Sequence, residues 1–152
     1  DAAAFDMVLR ARQKAPDVEL YPDALVVLEK LKAAGKYLAL ISTSARKNVE
    51  IQLNKHGLDN FFELVLTGDD VKNHKPHPEP LQIALAKLGG SADQALMIGD
   101  SDKDLGAAAA AGIDSVLFYP AEHRKFYSLD ELKKHLPTYV VTDFRKVLEI
   151  AT

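Results

Sequence analysis

Apolar residues along the 152-residue chain fall into short runs separated by glycine, proline and polar clusters, and the spacing within each run distinguishes helices from strands. Residues 2–15 place Ala4, Phe5, Val8, Ala11 and Ala15 on one face and Asp6, Arg10, Gln13 and Lys14 around the other, ahead of Pro16, which predicts a helix. Pro22 and Asp23 open a second helix through Leu31, with Leu25, Val26, Leu28 and Leu31 as its apolar side and Gly35 as its stop. Tyr37–Ser42 is a continuous apolar run, too short for a helix and without surface alternation. That suits a parallel strand covered on both faces.

The alternation then repeats. Helices are predicted over Lys47–His56, Glu79–Leu88, Leu105–Ala111, Leu129–His135 and Phe144–Ile150, and strands over Glu63–Thr67, Ala95–Ile98, Ser115–Phe118 and Tyr139–Val141. Strands alternating with helices of this size argue for βα crossovers and a doubly wound, Rossmann-like α/β fold built on a parallel sheet. Ligands of such sheets sit beyond the carboxyl ends of the strands. The polar residues gathered at those ends therefore carry the functional information.

Three strand ends stand out. The strand at Tyr37 runs into Ser42-Thr43-Ser44-Ala45-Arg46, where hydroxyls and the N–H groups of the next helix suit a phosphate oxygen, although one hydroxyl could equally serve as a simple helix N-cap. After Glu63–Thr67, Lys75 is followed by Pro76, Pro78 and Pro80, which restrict the backbone and favour an aimed ammonium over a mobile one. Ala95–Ile98 leads into Gly99-Asp100-Ser101-Asp102-Lys103-Asp104 and an alanine-rich helix. Asp100 and Asp104 lie one helical turn apart at this elbow, where two carboxylates can converge on a hard cation, and the three aspartates repel one another unless a cation or lysine compensates. Acidic residues also favour a helix N-terminus through its dipole alone. Together, the hydroxyls of Ser42, Thr43 and Ser44 with Lys75 as phosphate-binding groups, and Asp100 with Asp104 as metal ligands, describe a site for a phosphoryl group and Mg2+.

The order of these motifs resembles the haloacid dehalogenase-like hydrolase superfamily, in its phosphoglycolate phosphatase and beta-phosphoglucomutase-like branch. Ser42 at the end of YLALIS is similar to the second family motif, Lys75 in HKPHPEP to the third, and Asp100 with Asp104 in IGDSDKD to the fourth. The resemblance covers about Leu20 to Phe118 and implies a Mg2+-dependent phosphomonoester hydrolase acting on a small phosphorylated metabolite through an aspartyl-phosphate intermediate, with Ser42 and Lys75 as catalytic residues. Ser44 and Arg46 would grip the phosphate.

One part of the pattern is absent. The family's first motif is a strand ending in Asp-x-Asp, and the nearest text here is Phe5-Asp6-Met7-Val8, with valine at the second acidic position. The helical spacing instead reads residues 1–19 as the last helix of a cap domain and 20–152 as a core without its first strand, so Asp6 is not assigned as the nucleophile. The nucleophile is then expected from residues outside this chain, with a separate N-terminal segment as one possible partner, and the chain alone is expected not to turn over substrate. A non-catalytic phosphate-binding or interaction module is the rival from another class, and a sugar phosphomutase the rival within it.

Composition narrows the partners. With 19 basic and 22 acidic residues the net charge is -3, which argues against nucleic acid or an anionic membrane as the main partner. The chain has no cysteine, which removes disulfides and thiolate chemistry and fits a reducing, cytoplasmic setting. No basic-then-apolar leader is recognised, the start at Asp1 suggests a processed or cut chain, and Ala24–Leu28 and Tyr37–Ile41 fall far short of the roughly 20 residues a membrane span needs. His74 and His77 lack a third ligand nearby, Asp69 and Asp70 read as a solvated turn, and Tyr119–His135 reads as an amphipathic surface helix or an edge of the crevice.

Overall fold

The computed structural model describes the backbone of residues 4–7 and all of residues 19–152. Among the described residues six strands form one parallel sheet: β1 (Ala4–Met7), β2 (Tyr37–Ile41), β3 (Leu64–Leu66), β4 (Leu96–Gly99), β5 (Asp114–Phe118) and β6 (Tyr139–Val141), in the order β3-β2-β1-β4-β5-β6. The chain winds outward from β1 to β3, returns to the other side of β1 at β4, and continues to β6. The doubly wound class is thus the one the alternation predicts, and its switch point lies where β1, β2 and β4 adjoin.

The apolar runs bury both faces of the sheet, and adjacent residues alternate between them. Leu38 and Leu40 of β2, Leu96 and Ile98 of β4, and Val116 and Phe118 of β5 pack with helices α1 (Ala24–Ala33), α2 (Arg46–Lys55) and α6 (Lys146–Ala151), through Val27, Leu28, Leu31, Val49, Leu53 and Val147. On the opposite face Ile41, Leu66 and Met97 meet α3 (Glu79–Leu88) and α4 (Asp102–Ala111), through Leu81, Ala84, Ala107 and Ala108. The alanines of α4 let this helix lie close on the sheet. Leu105 and Leu117 form a satellite with Leu132 of α5 (Leu129–Lys133). Gly89 and Gly112 end α3 and α4 in the left-handed region at φ 68° and 71°, as the sequence signals predict. No described helix is long and apolar enough to cross a membrane.

The N-terminal segment departs from the expectation. Ala4–Met7 is a strand and not part of a helix, and it fills the central place between β2 and β4 that was expected to be vacant. Phe5 pairs with Leu38 and Leu96, and Asp6 with Ala39 and Met97. The physical reason is the row of unpaired backbone groups that β2 and β4 would otherwise present to each other, which an extended tetrad satisfies on both sides and a helix on neither. The rest of the predicted helix, residues 8–15, lies outside the described residues.

The segment after β5 also differs. Ala121–Lys125 is a 3-10 turn with His123 fully buried, and only Leu129–Lys133 is α-helical, so the Tyr119–His135 stretch is not one amphipathic surface helix.

Replacing Phe5 by proline removes one N–H from a strand paired on both sides. Phe5→Pro is expected to lower stability by at least about 1–3 kcal/mol, the cost of an orphaned buried acceptor, read as a drop in the urea midpoint. A wild-type midpoint would show that β1 does not hold the sheet together.

Candidate active site

The carboxyl ends of β2 and β4, and the loop that follows β3, converge through one lysine. Lys75 Nζ donates to Ile41 O at 3.0 Å, the last residue of β2, and to Asp104 Oδ1 at 2.7 Å, in the first turn of α4. Both side chains are buried, Lys75 at 6% and Asp104 at 2% exposure. The proline-rich loop delivers this lysine as its spacing predicts, and the Lys75–Pro76 bond is cis. Gly106 lets α4 approach that loop, because a Cβ there would sit 3.0 Å from Pro76 Cβ.

Asp104 is fully engaged. Its Oδ2 accepts from the N–H of Asp100 at 3.1 Å, the N–H of Ser101 at 3.2 Å and the Ser101 hydroxyl at 3.0 Å, while Ser101 Oγ in turn accepts from Asp104 N–H in a capping box. With Oδ1 on Lys75, both oxygens hold the elbow and the lysine. Asp104, expected beside Asp100 as a metal ligand, supplies in this structure the pairing with Lys75 that the acidic cluster requires, and Asp100 lies next to it at the end of β4. Gly99 is required for this geometry, since a Cβ there would lie 2.4 Å from Asp104 Cβ.

Ser42 follows Ile41 directly, so the Lys75 bond to Ile41 O sets the hydroxyl's base beside the ammonium. Ser42 N–H bonds to Leu66 O at 2.9 Å, and Ser42 Oγ accepts from Ser44 N–H at 3.1 Å, folding the loop over the strand end. Ser44 O then accepts from Gly68 N–H at 2.8 Å. Thr43 presses so closely on Gly68 that a Cβ on the glycine would lie 2.4 Å from Thr43 O. None of these hydroxyls caps α2. Its N-cap is Ala45, and the Arg46 N–H goes to Asp69 Oδ2 at 2.8 Å, so this amide is not one of the open donors the sequence suggested.

Arg46, expected to grip phosphate, is held within the protein in this structure. Its guanidinium bonds to Asp70 at 2.5 Å and to Val65 O at 3.1 Å, with Glu50 at 3.5 Å, a brace across the β3 end. Asp70 also accepts from Thr67 N–H and hydroxyl, at 2.7 and 2.8 Å. Asp69 and Asp70 lie exposed in a turn, as the sequence predicts, and from there Asp69 caps α2 and Asp70 braces Arg46. Burial pushes the Asp70 carboxyl up, but the Thr67 and Arg46 hydrogen bonds outweigh it and hold the carboxyl below its usual range. His74 bonds to Gly68 O, and His77 accepts from Glu79 N–H. Neither belongs to a metal cluster among the described residues.

Two residues at the site had no motif to announce them. Tyr21, just before α1, donates to Asp100 Oδ2 at 2.8 Å, and His123 Nε2 lies 3.0 Å from the same phenol. The lone histidine within Tyr119–Tyr127 was the one sequence signal for the second.

Residues 4–118 match the family described as haloacid dehalogenase-like hydrolase. The chain belongs to that family. It is 36% identical over 128 residues to the pyrophosphatase PpaX of Bacillus cereus, covering 79% of this chain and 59% of that protein. To the phosphoglycolate phosphatase of Colwellia psychrerythraea it is 46% identical over 97 residues, 64% of this chain and 43% of the relative. Its fold superposes on a predicted phosphoglycolate phosphatase from Haemophilus somnus with a TM-score of 0.78 at 31% identity, covering 88% of this chain and 58% of the other. The chain spans about three-fifths of the length of the pyrophosphatases it matches, as the 59% coverage shows.

Removing the lysine of the buried pair leaves Asp104 charged and desolvated. Lys75→Met is expected to cost about 3–5 kcal/mol in urea unfolding, and Lys75→Met with Asp104→Asn to recover part of that loss. For Asp70 the depressed folded pKa means that its contribution is present above the ordinary carboxylate pKa near 4 and disappears as pH falls through the folded value. Between about pH 5 and pH 3 the wild-type urea midpoint should therefore fall more steeply than that of Asp70→Asn; parallel slopes would remove Asp70 from the acid response.

Proposed function

We propose that this haloacid dehalogenase-like hydrolase is a Mg2+-dependent phosphomonoester hydrolase for small phosphorylated metabolites, working through an aspartyl phosphate. The observation that carries the reading is Lys75, buried yet held by Asp104 and Ile41 O at the point where Ser42 and Asp100 emerge. A buried ammonium beside a hydroxyl and an acidic strand end suits a phosphoryl dianion, whose equatorial oxygens need fixed donors.

Asp100 fits a hard cation. Water and phosphate oxygens would complete the coordination, as Mg2+ prefers oxygen donors and keeps several waters. With Mg2+ held there, negative charge on the phosphoryl oxygens is offset during transfer.

The nucleophile we assign is Asp6, one residue before the end of the central strand β1, between the strands that carry Ser42 and Asp100. Its carboxylate oxygen would bond to phosphorus as the ester P–O bond breaks and the alcohol departs. Water attacking the phosphorus of the acyl phosphate then releases inorganic phosphate and restores Asp6. Ser42 and Lys75 would bind the phosphoryl oxygens through both steps. Val8 stands where the family's second aspartate would protonate the leaving group. Solvent must then supply that proton, and the rate should depend strongly on how well the leaving group departs unprotonated.

With Mg2+ the chain should hydrolyse p-nitrophenyl phosphate, and hydrolyse an alkyl ester such as glycerol phosphate far more slowly, because an alkoxide is a much poorer leaving group than a nitrophenolate when no acid protonates it. Asp6→Asn should abolish both reactions. The absence of arylphosphatase activity together with retained binding of orthovanadate would favour the second reading, a non-catalytic phosphate-binding module, which Val8 makes a real competitor.

A further inference from the structure

Tyr21 and His123 are separated by 102 residues, one entering α1 and the other in the turn after β5, and they meet over Asp100. The phenol has a single proton. Tyr21 donates it to Asp100 Oδ2 at 2.8 Å, so the 3.0 Å contact with His123 is one in which Nε2–H donates to the phenol oxygen. The order is therefore imidazole to phenol to carboxylate, with His123 Nε2 also 3.9 Å from Asp100 Oδ2.

His123 is placed by its surroundings. The residue is 0% exposed, and the rings of Tyr21, Phe118, Tyr119 and Tyr127 stand around it at centroid distances of 5.9, 6.3, 6.2 and 5.8 Å. Its N–H bonds to Pro120 O, while its carbonyl accepts from Phe126 and Tyr127 N–H. An aromatic box of this kind would take phenylalanine with no desolvation cost, whereas a buried imidazole is costly unless its polar atoms are used. Tyr21 is held as firmly, edge-on to Phe118 at 4.7 Å.

We infer that Tyr21 and His123 are positioning residues for Asp100. The phenol fixes the rotation of the Asp100 carboxylate about its Cβ–Cγ bond, and the imidazole fixes the phenol, so the carboxylate faces the crevice in one orientation before any ligand arrives. The inference rests on the reading of Asp100 as the cation-holding carboxylate. Hydrogen bonds that orient a ligating carboxylate are typically worth about 10–100-fold in metal affinity.

The test is titration of Mn2+ alone, followed by electron paramagnetic resonance, on the full chain and its variants well below their thermal midpoints. Tyr21→Phe keeps the ring that packs on Phe118 and is expected to weaken Mn2+ binding about tenfold. His123→Leu should weaken it similarly, His123→Gln, which retains an N–H donor, should weaken it less, and adding His123→Leu to Tyr21→Phe should bring little further loss. If Asp100→Asn abolishes binding while Tyr21→Phe binds as the wild type does, the positioning role is overturned and the cation reading stands. If Asp100→Asn binds Mn2+ as well as the wild type, the cation reading fails and takes this inference with it. A His123→Leu protein with wild-type affinity would remove the histidine from the chain of contacts.

Discussion

The buried ion pair between Lys75 and Asp104 is the interaction on which the rest of the site depends. Removing an ammonium and a carboxylate from water costs several kcal/mol per ion, and only a well-formed pair with its remaining polar atoms satisfied offsets that cost. Here the carboxylate accepts from Lys75, from two backbone amides and from the Ser101 hydroxyl, and the ammonium reaches on to Ile41 O. The pair thereby joins the end of β2, the proline-rich loop and the β4–α4 elbow. The pair leaves no room for a Cβ at Gly99, and its loop leaves only a tight fit at Gly106.

Polar groups in this chain divide between two tasks. Arg46, Asp69, Asp70 and Thr67 bind one another across the β2 and β3 ends, bracing the loops with hydrogen bonds made within the protein. Ser42, Lys75 and Asp100 stand on the supports so formed, toward the switch point of the sheet. Chemistry at a strand end requires rigid neighbours, since side chains of uncertain rotamer cannot present fixed donors to a phosphoryl group.

Much of the fold was legible in the chain because parallel strands buried on two faces must be continuously apolar, and runs such as YLALI at Tyr37–Ile41 and LMIG at Leu96–Gly99 have few other uses. The first strand was not legible for the opposite reason. Ala4, Val8, Ala11 and Ala15 recur at a helical period, and a four-residue strand is too short to impose an alternation against it. Pairing with β2 and β4, which no local pattern records, prevails over that period in residues 4–7. The partner of Asp104 was not legible because spacing places a carboxylate on a face without saying what the fold brings to it. Here it brings a lysine from 29 residues earlier in the chain.

Residue type and spacing alone determined that this chain would form a doubly wound sheet with hydroxyls, a lysine and carboxylates at the carboxyl ends of its strands, because burial on two faces and crossover geometry constrain local sequence strongly. Only the tertiary structure decided how those groups are partnered within the protein. It assigned Arg46 and Asp69 to bracing, Asp104 to Lys75, and Tyr21 and His123 to Asp100. Each of these choices joins residues far apart in the chain, and a carboxylate's partner is set by what the fold brings within hydrogen-bonding distance.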